Sequence, residues 1–140
     1  MARTWNRETP ARWDADKASI LGTSPEGVFD THWAAGDLIP GDWWRVEEDG
    51  RTVGYGWLDV TWGYAPVLLA VAPDMRGRGV GSWILDKLSD EAHSRGLAYM
   101  FNQIPAAHPQ PDQLGAWLRA RGFEPSQSDG MLLRRRVPSK

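Results

Sequence analysis

Cysteine is absent from the 140 residues. That excludes a disulfide framework, thiolate metal sites and a cysteine nucleophile, and it fits a cytoplasmic protein. Long apolar runs are absent too. No window approaches the roughly 18 uninterrupted apolar residues of a membrane span, and Met1 to Asp16 lacks the apolar stretch of a secretory signal. Histidine is scarce: His32, His93 and His108 lie far apart, without paired ligand spacing, so no metal is expected. No Gly-x-Ser-x-Gly elbow occurs. Positive charge is not in excess either. A net charge of −2 argues against a dedicated nucleic-acid binder.

What remains is an ordinary globular composition, 41% hydrophobic and 24% charged, at the length of a single domain spanning residues 1–140. Charge is uneven. Residues 1–70 hold 6 Lys and Arg against 11 Asp and Glu, whereas residues 71–140 hold 10 against 7. The second half suits an anionic ligand and the first a cationic one. Nine tryptophans are present, six of them between Trp5 and Trp57. Most belong to a core, and an acidic, Trp-rich half also suits an organic cation.

Periodicity predicts a mixed order of elements. Ala11 to Leu21 reads as a helix, and Ser24-Pro25-Glu26 as the cap of a second, with Phe29 and Trp33 inward. Trp43 to Glu48 and Thr52 to Trp62 form a hairpin around Asp49-Gly50. Val67 to Ala72 is a strand buried on both faces. A glycine-rich turn then opens a helix over Ser82 to Ser94, whose apolar face is Val80, Ile84, Leu88 and Ala92. Leu97 to Ile104 is a strand and Gln113 to Arg121 a helix. Phe123 to Ser126 and Met131 to Val137 form a last hairpin. The fold class is α/β, with a central mixed sheet antiparallel at both ends and parallel in the middle.

The chemistry concentrates at the turn. A helix start presents unpaired N–H groups and the positive end of its dipole, which suits phosphate. Gly77, Gly79 and Gly81 clear the approach, Arg76 and Arg78 add charge, and Ser82 adds a hydroxyl. The spacing fits neither the P-loop nor the dinucleotide fingerprint. It fits Arg-x-x-Gly-x-Gly, and the run Leu69-Ala70-Val71-Ala72-Pro73-Asp74-Met75-Arg76-Gly77-Arg78-Gly79-Val80-Gly81 resembles the core motif of the GNAT superfamily of N-acetyltransferases. Arg121-Gly122-Phe123 near the C-terminus strengthens the resemblance, which covers roughly Trp43 to Val137.

That resemblance implies acetyl-CoA, or another acyl-CoA, as co-substrate, with its pyrophosphate over Arg76 to Ser82. It implies that the pantetheine arm pairs like an extra strand with Leu69, Ala70 and Val71, in a V-shaped gap against the next strand. A backbone N–H near Val71 would polarise the thioester, and Asn102 and Gln103 would touch the arm. Members usually carry a tyrosine acid where this chain has Leu118, an asparagine where it has Pro111, and a glutamate base on the motif strand, which here is apolar. Asp59 is the first replacement for the base and His108 for the acid. Glu47, Glu48, His32, Tyr64, Tyr99 and water stand behind them. The expected acceptor is a primary amine of a small molecule or peptide, cationic in view of the acidic first half, with no nucleic acid and no membrane. Loss of the usual acid and base motivates the alternative of an acyl-CoA sensor with little turnover. Many members pair into homodimers, for which the terminal hairpin offers an edge.

Overall fold

The computed structural model describes residues 3–23, 32–60, 64–105, 108–127 and 130–137. Strands β1 (Arg3–Glu8), β2 (Asp42–Glu48), β3 (Arg51–Leu58), β4 (Tyr64–Val71), β5 (Tyr99–Gln103), β6 (Glu124–Pro125) and β7 (Leu132–Arg136) make one sheet ordered β1-β2-β3-β4-β5-β7-β6. Helices α1 (Ala15–Leu21), α2 (Val80–Ser94) and α3 (Pro111–Arg119) flank it. Every neighbouring pair is antiparallel except β4 and β5, the single parallel step.

β1 is the element that sequence patterning missed. Trp5 is its one large apolar residue, and the remaining positions are polar or charged. Cross-strand contacts hold it instead. Trp5 stacks on Trp44 with centroids 5.3 Å apart and planes 7° from parallel, and its indole N–H donates to Glu91 on α2. Gly56 makes room for this, since a Cβ there would sit 2.6 Å from the Trp5 ring. The Asp49-Gly50 turn behaves as expected, both residues having positive φ, 54° and 78°, the signature of a tight hairpin.

Helix α1 begins at Ala15 rather than Ala11, because Asp14 caps it by accepting the Lys17 N–H. Strand β3 stops at Leu58 rather than Trp62, so Asp59 follows the strand instead of lying on it. The second helix expected from Ser24 falls outside the described residues, as does most of the Asp129-Gly130 turn.

Two cores form on opposite faces. One places α2 and α3 against Val46, Val67, Met100 and Leu133. The other places α1 against Trp43, Tyr55, Ala70 and Ala72. Alternate β4 residues thus enter different cores, as its unbroken apolar run requires. Within the second core the Lys17 ammonium is fully buried. It donates to the Arg12 carbonyl, pairs with Glu8 at 2.5 Å and Asp14 at 3.2 Å, and lies 5.1 Å from the Tyr55 ring centroid. Arg45 bonds the same two carboxylates and reaches Asp16.

Lys17→Met removes the buried cation and leaves Glu8 and Asp14 to Arg45 alone. It should cost about 3 kcal/mol of unfolding free energy in urea denaturation, the usual result of breaking one side of a buried pair. The network also sets an acid limit. Burial alone would raise the Asp14 pKa, but the Lys17 N–H, the Lys17 ammonium and Arg45 outweigh it and hold the carboxyl below its ordinary 3.8. Asp42, paired with Arg95 and Arg7, is lowered in the same way. A carboxyl depressed in the folded state stabilises fully above its unfolded pKa and loses that contribution as pH falls through the folded value. Stability should therefore be flat from neutrality to about pH 5 and fall below pH 4, read as the urea midpoint against pH.

Candidate active site

In the β3–β4 ladder the Ala72 N–H donates to the Val53 carbonyl and the Asp59 N–H to the Pro66 carbonyl. Antiparallel pairing alternates the direction of backbone groups. The polar groups of residues 66, 68, 70 and 72 thus serve β3, and those of Val67, Leu69 and Val71 face β5. Yet β5 pairs with β4 only from Tyr64 to Pro66. Beyond that point the strands part. Asn102 spans the start of the gap, its side-chain amide donating to the Val67 carbonyl at 2.9 Å. Past Asn102, the N–H and C=O of Leu69 and the N–H of Val71 are left without a strand. Ala70 points its backbone the other way and is buried.

The gap is a wedge lined by Leu68, Leu69, Asn102, Gln103, Trp117 and Phe123. It adjoins a cleft of about 660 Å³ that runs from Leu69 over Arg76, Gly79 and Ser82 to α3. The cleft floor is the start of α2. Gly79 is its N-cap with φ 81° and supplies no side-chain cap, so the N–H groups of Val80, Gly81 and Ser82 have no helical carbonyl to meet. Gly77 has φ 77°, a conformation that disfavours any side chain. Val80 is buried and anchors this end, whereas Arg78 is exposed. Arg76 folds back, donating to the Val71 carbonyl at 3.3 Å and to the Thr23 hydroxyl at 3.0 Å.

Helix α3 forms the far wall. Gln113 and Trp117, one turn apart on this helix, face the cleft, and Arg121 joins them from the turn just past its end, since α3 runs Pro111–Arg119 rather than Gln113 to Arg121. Arg121 donates to Ser82 Oγ at 2.7 Å and to the Trp117 carbonyl at 2.9 Å, with its guanidinium 3.9 Å from the Trp117 ring centroid. Sequence reading placed this helix beside the cleft but missed that clamp, which the spacing alone would have suggested. A Cβ on Gly81 would stand 3.0 Å from the Trp117 ring, so this glycine is set by a close approach.

The model of the acetyltransferase (GNAT) domain family matches residues 40–125. The chain belongs to that family. The mycothiol acetyltransferase of Rhodococcus jostii is 28% identical over 123 residues, which cover 81% of this chain and 40% of that protein. This chain thus spans less than half of that relative's length. Among solved structures, the ribosomal-protein-S18-alanine N-acetyltransferase from Escherichia coli aligns with a TM-score of 0.63 at 15% identity, over 99% of this chain and 96% of its own. N-acetylglutamate synthase from Neisseria gonorrhoeae, complexed with coenzyme A and L-arginine, aligns with a TM-score of 0.59 at 21% identity, over 69% of this chain and 25% of that one. At these identities the likeness is one of fold.

The two proton-transfer candidates separate. His108 lines the cleft, and its Nδ1 accepts the Gln110 N–H at 3.0 Å, which places the ring proton on Nε2. Asp59 is exposed and accepts the Val60 N–H at 2.9 Å; it lines neither cleft nor wedge. Leu118 is buried. The acidic first half is largely engaged within the molecule: Glu8, Asp14, Asp16, Asp42 and Glu48 all pair with Lys17 or arginines. Several of its tryptophans, Trp13, Trp43 and Trp44, are buried. Among the described residues no group of acids and histidines is arranged to hold a metal, and no helix is long and apolar enough to cross a membrane.

Gly81→Ala should push Trp117 off its seat and loosen the Arg121–Ser82 contact. The expected cost is about 1–2 kcal/mol, as for other overpacking changes, read as a lowered thermal midpoint.

Proposed function

We propose that this chain works as a single acetyltransferase domain, moving an acetyl group from acetyl-CoA to a primary amine by direct attack. The carrying observation is the half-satisfied edge of β4 that ends on an uncapped helix start. An extended arm with its own amides completes the edge, and a pyrophosphate answers the exposed N–H groups.

In this reading the N–H groups of Val80, Gly81 and Ser82 take the pyrophosphate, with Arg76 and Arg78 as counter-charges. Gly77 and Gly79 supply the backbone turn. The pantetheine arm lies along Leu69 to Val71, beside the small Ala70, and Asn102 pins the closed end of the wedge. Arg76 yields the Val71 carbonyl to an amide of the arm, which frees its guanidinium for the phosphates. Of the two N–H groups facing the wedge, that of Leu69 lies nearer the closed end and suits the thioester oxygen, while that of Val71 suits the amide before it. Such a donor stabilises the charge that develops on oxygen during attack. The amine nitrogen bonds to the carbonyl carbon, the C–S bond breaks, coenzyme A leaves as thiolate, and the surplus amine proton passes to water or to that thiolate. The acetyltransferase names of the relatives and the coenzyme A in the Neisseria gonorrhoeae neighbour support the assignment.

A binding-only role is favoured by one observation: the described residues lining the wedge include no carboxylate. Calorimetry with acetyl-CoA tests the site. The wild type should bind, and Gly79→Glu, which adds bulk and negative charge to the turn, should weaken binding more than about ten-fold. No binding by the wild type would end the acyltransferase reading. Thiol release in the presence of amines separates turnover from mere binding.

A further inference from the structure

A second opening lies on the other face of the sheet. It is an open groove of about 770 Å³ lined by Phe101, Leu132, Glu124, Ser126, Gln127 and Arg134. Met100 and Leu133 point into the α2 core, so Phe101, Leu132 and Arg134, their chain neighbours, face away from it. Register fixes the layout. Arg134 is the partner of both Phe101 and Glu124, and Leu132 is the partner of Gln103. The row Glu124, Arg134, Phe101 thus stands one side-chain repeat from the row Leu132, Gln103, and Gln103 lines the wedge. Leu132 of the groove and Gln103 of the wedge, paired in register, are where the two adjoin.

Its charges are unusual. Glu124 and Arg134 are directly paired in register, yet they form no ion pair. The guanidinium of Arg134 lies over the Tyr99 ring instead, 4.7 Å from its centroid. Glu124 has no partner among the described residues, and Arg134 makes no hydrogen bond or ion pair there. Two opposite charges therefore stand side by side without neutralising each other, above an apolar floor. A simple amine would answer Glu124 alone, and a simple carboxylate Arg134 alone. A head bearing both charges answers both.

Resting on the acetyltransferase reading above, we propose that the acceptor is a free α-amino acid with a second, terminal amine, its head held between Arg134 and Glu124. The carboxylate meets Arg134. The α-ammonium meets Glu124 and, kept protonated there, is not the nucleophile. The chain crosses Phe101 and Leu132 and delivers the terminal amine to the wedge beside Gln103. The two rows are roughly 6–7 Å apart at about 3.3 Å per residue. Three or four methylenes and a nitrogen span about the same distance at bond lengths of about 1.5 Å, as in ornithine and lysine. The reaction balances as amine plus thioester giving amide plus thiol, with the acetyl on the terminal nitrogen.

The test compares L-lysine and L-ornithine with pentylamine, which has a terminal amine and no head, after acetyl-CoA binding has been measured by calorimetry. One of the diamino acids should exceed pentylamine in kcat/KM by about ten-fold or more, the worth of one charge-assisted contact. Arg134→Gln and Glu124→Gln, both exposed positions, should each remove most of that advantage; both should leave acetyl-CoA affinity unchanged, and Arg134→Gln, which a simple amine does not engage, should leave the pentylamine rate unchanged as well. Magnetic resonance of the product should show the acetyl group on the terminal nitrogen. Equal rates for pentylamine and the diamino acids, acetylation of the α-nitrogen, or equal losses on all acceptors in both variants would overturn the proposal and leave the acetyltransferase reading standing. Bound acetyl-CoA with no turnover of either diamino acid overturns it too. A protein that binds no acetyl-CoA overturns both.

Discussion

One strand has a partner along only part of one edge, and the site depends on that. Backbone N–H and C=O groups away from water require partners. β4 satisfies half of its groups with β3 from Pro66 to Val71, but it meets β5 over three residues only, Tyr64 to Pro66. Parting the strands beyond Pro66 leaves a short row of donors and acceptors at the bottom of a cleft. Asn102 satisfies one carbonyl and Arg76 another. Neither reaches Leu69, between them. The sheet thus gives up ladder hydrogen bonds at one place, and that place is shaped for an extended chain with its own amides.

The parting persists because β5 has another partner. It pairs with β7 over its full length, Tyr99 to Gln103, so it belongs to the C-terminal half of the sheet. Phe123 and Leu118 fill the space beneath. On the N-terminal side β4 is fixed by α1 and the Lys17 network. The two halves pair with each other over three residues only, each having its own core contacts, so the wedge is set between them. Thr23, just after α1, bonds Arg76 in the glycine turn, which ties the position of α1 to that of the anion site. The charge asymmetry of the sequence takes on another meaning here. The acids of the first half hold the sheet and α1 together, while at the groove Arg134 and Glu124 of the second half form no ion pair among the described residues, the guanidinium lying over Tyr99 instead.

Legibility from sequence followed the range of the interactions. The turn, the helix it opens and the buried strand before it were readable, because apolar periodicity, positive-φ glycines and an unpaired helix start are local. β1 was not: it is held by Trp5 against Trp44 and by a bond to Glu91, contacts across 39 and 86 positions of the chain. Likewise the motif pointed to Leu69 through Val71, but which of the three face the wedge is a matter of ladder parity. Parity depends on register with β3, and no local pattern states it. The unpaired state of Glu124 and Arg134 was out of reach for the same reason, since it depends on Tyr99 drawing the arginine aside.

The proton traffic of the reaction follows from what surrounds the wedge. His108 stands in the cleft, but its Nδ1 faces a backbone N–H. With Nδ1 so engaged, His108 can offer only Nε2 to a ligand in the cleft. Leu118, at the position where the family resemblance led to the expectation of a tyrosine acid, has no proton to give. The leaving group lessens this loss, because an ordinary thiol titrates near 8.5 and its thiolate departs with little assistance at neutral pH. The nucleophile bears the larger burden, since an alkylamine is mostly protonated at that pH and the described residues lining the wedge include no carboxylate to relieve it. Asp59, exposed beyond the end of β3, is not placed to do so. In the proposed reaction the rate would therefore come from positioning: a thioester oxygen held by a backbone N–H and an amine carried to it from the opposite face, with water completing the exchange of protons.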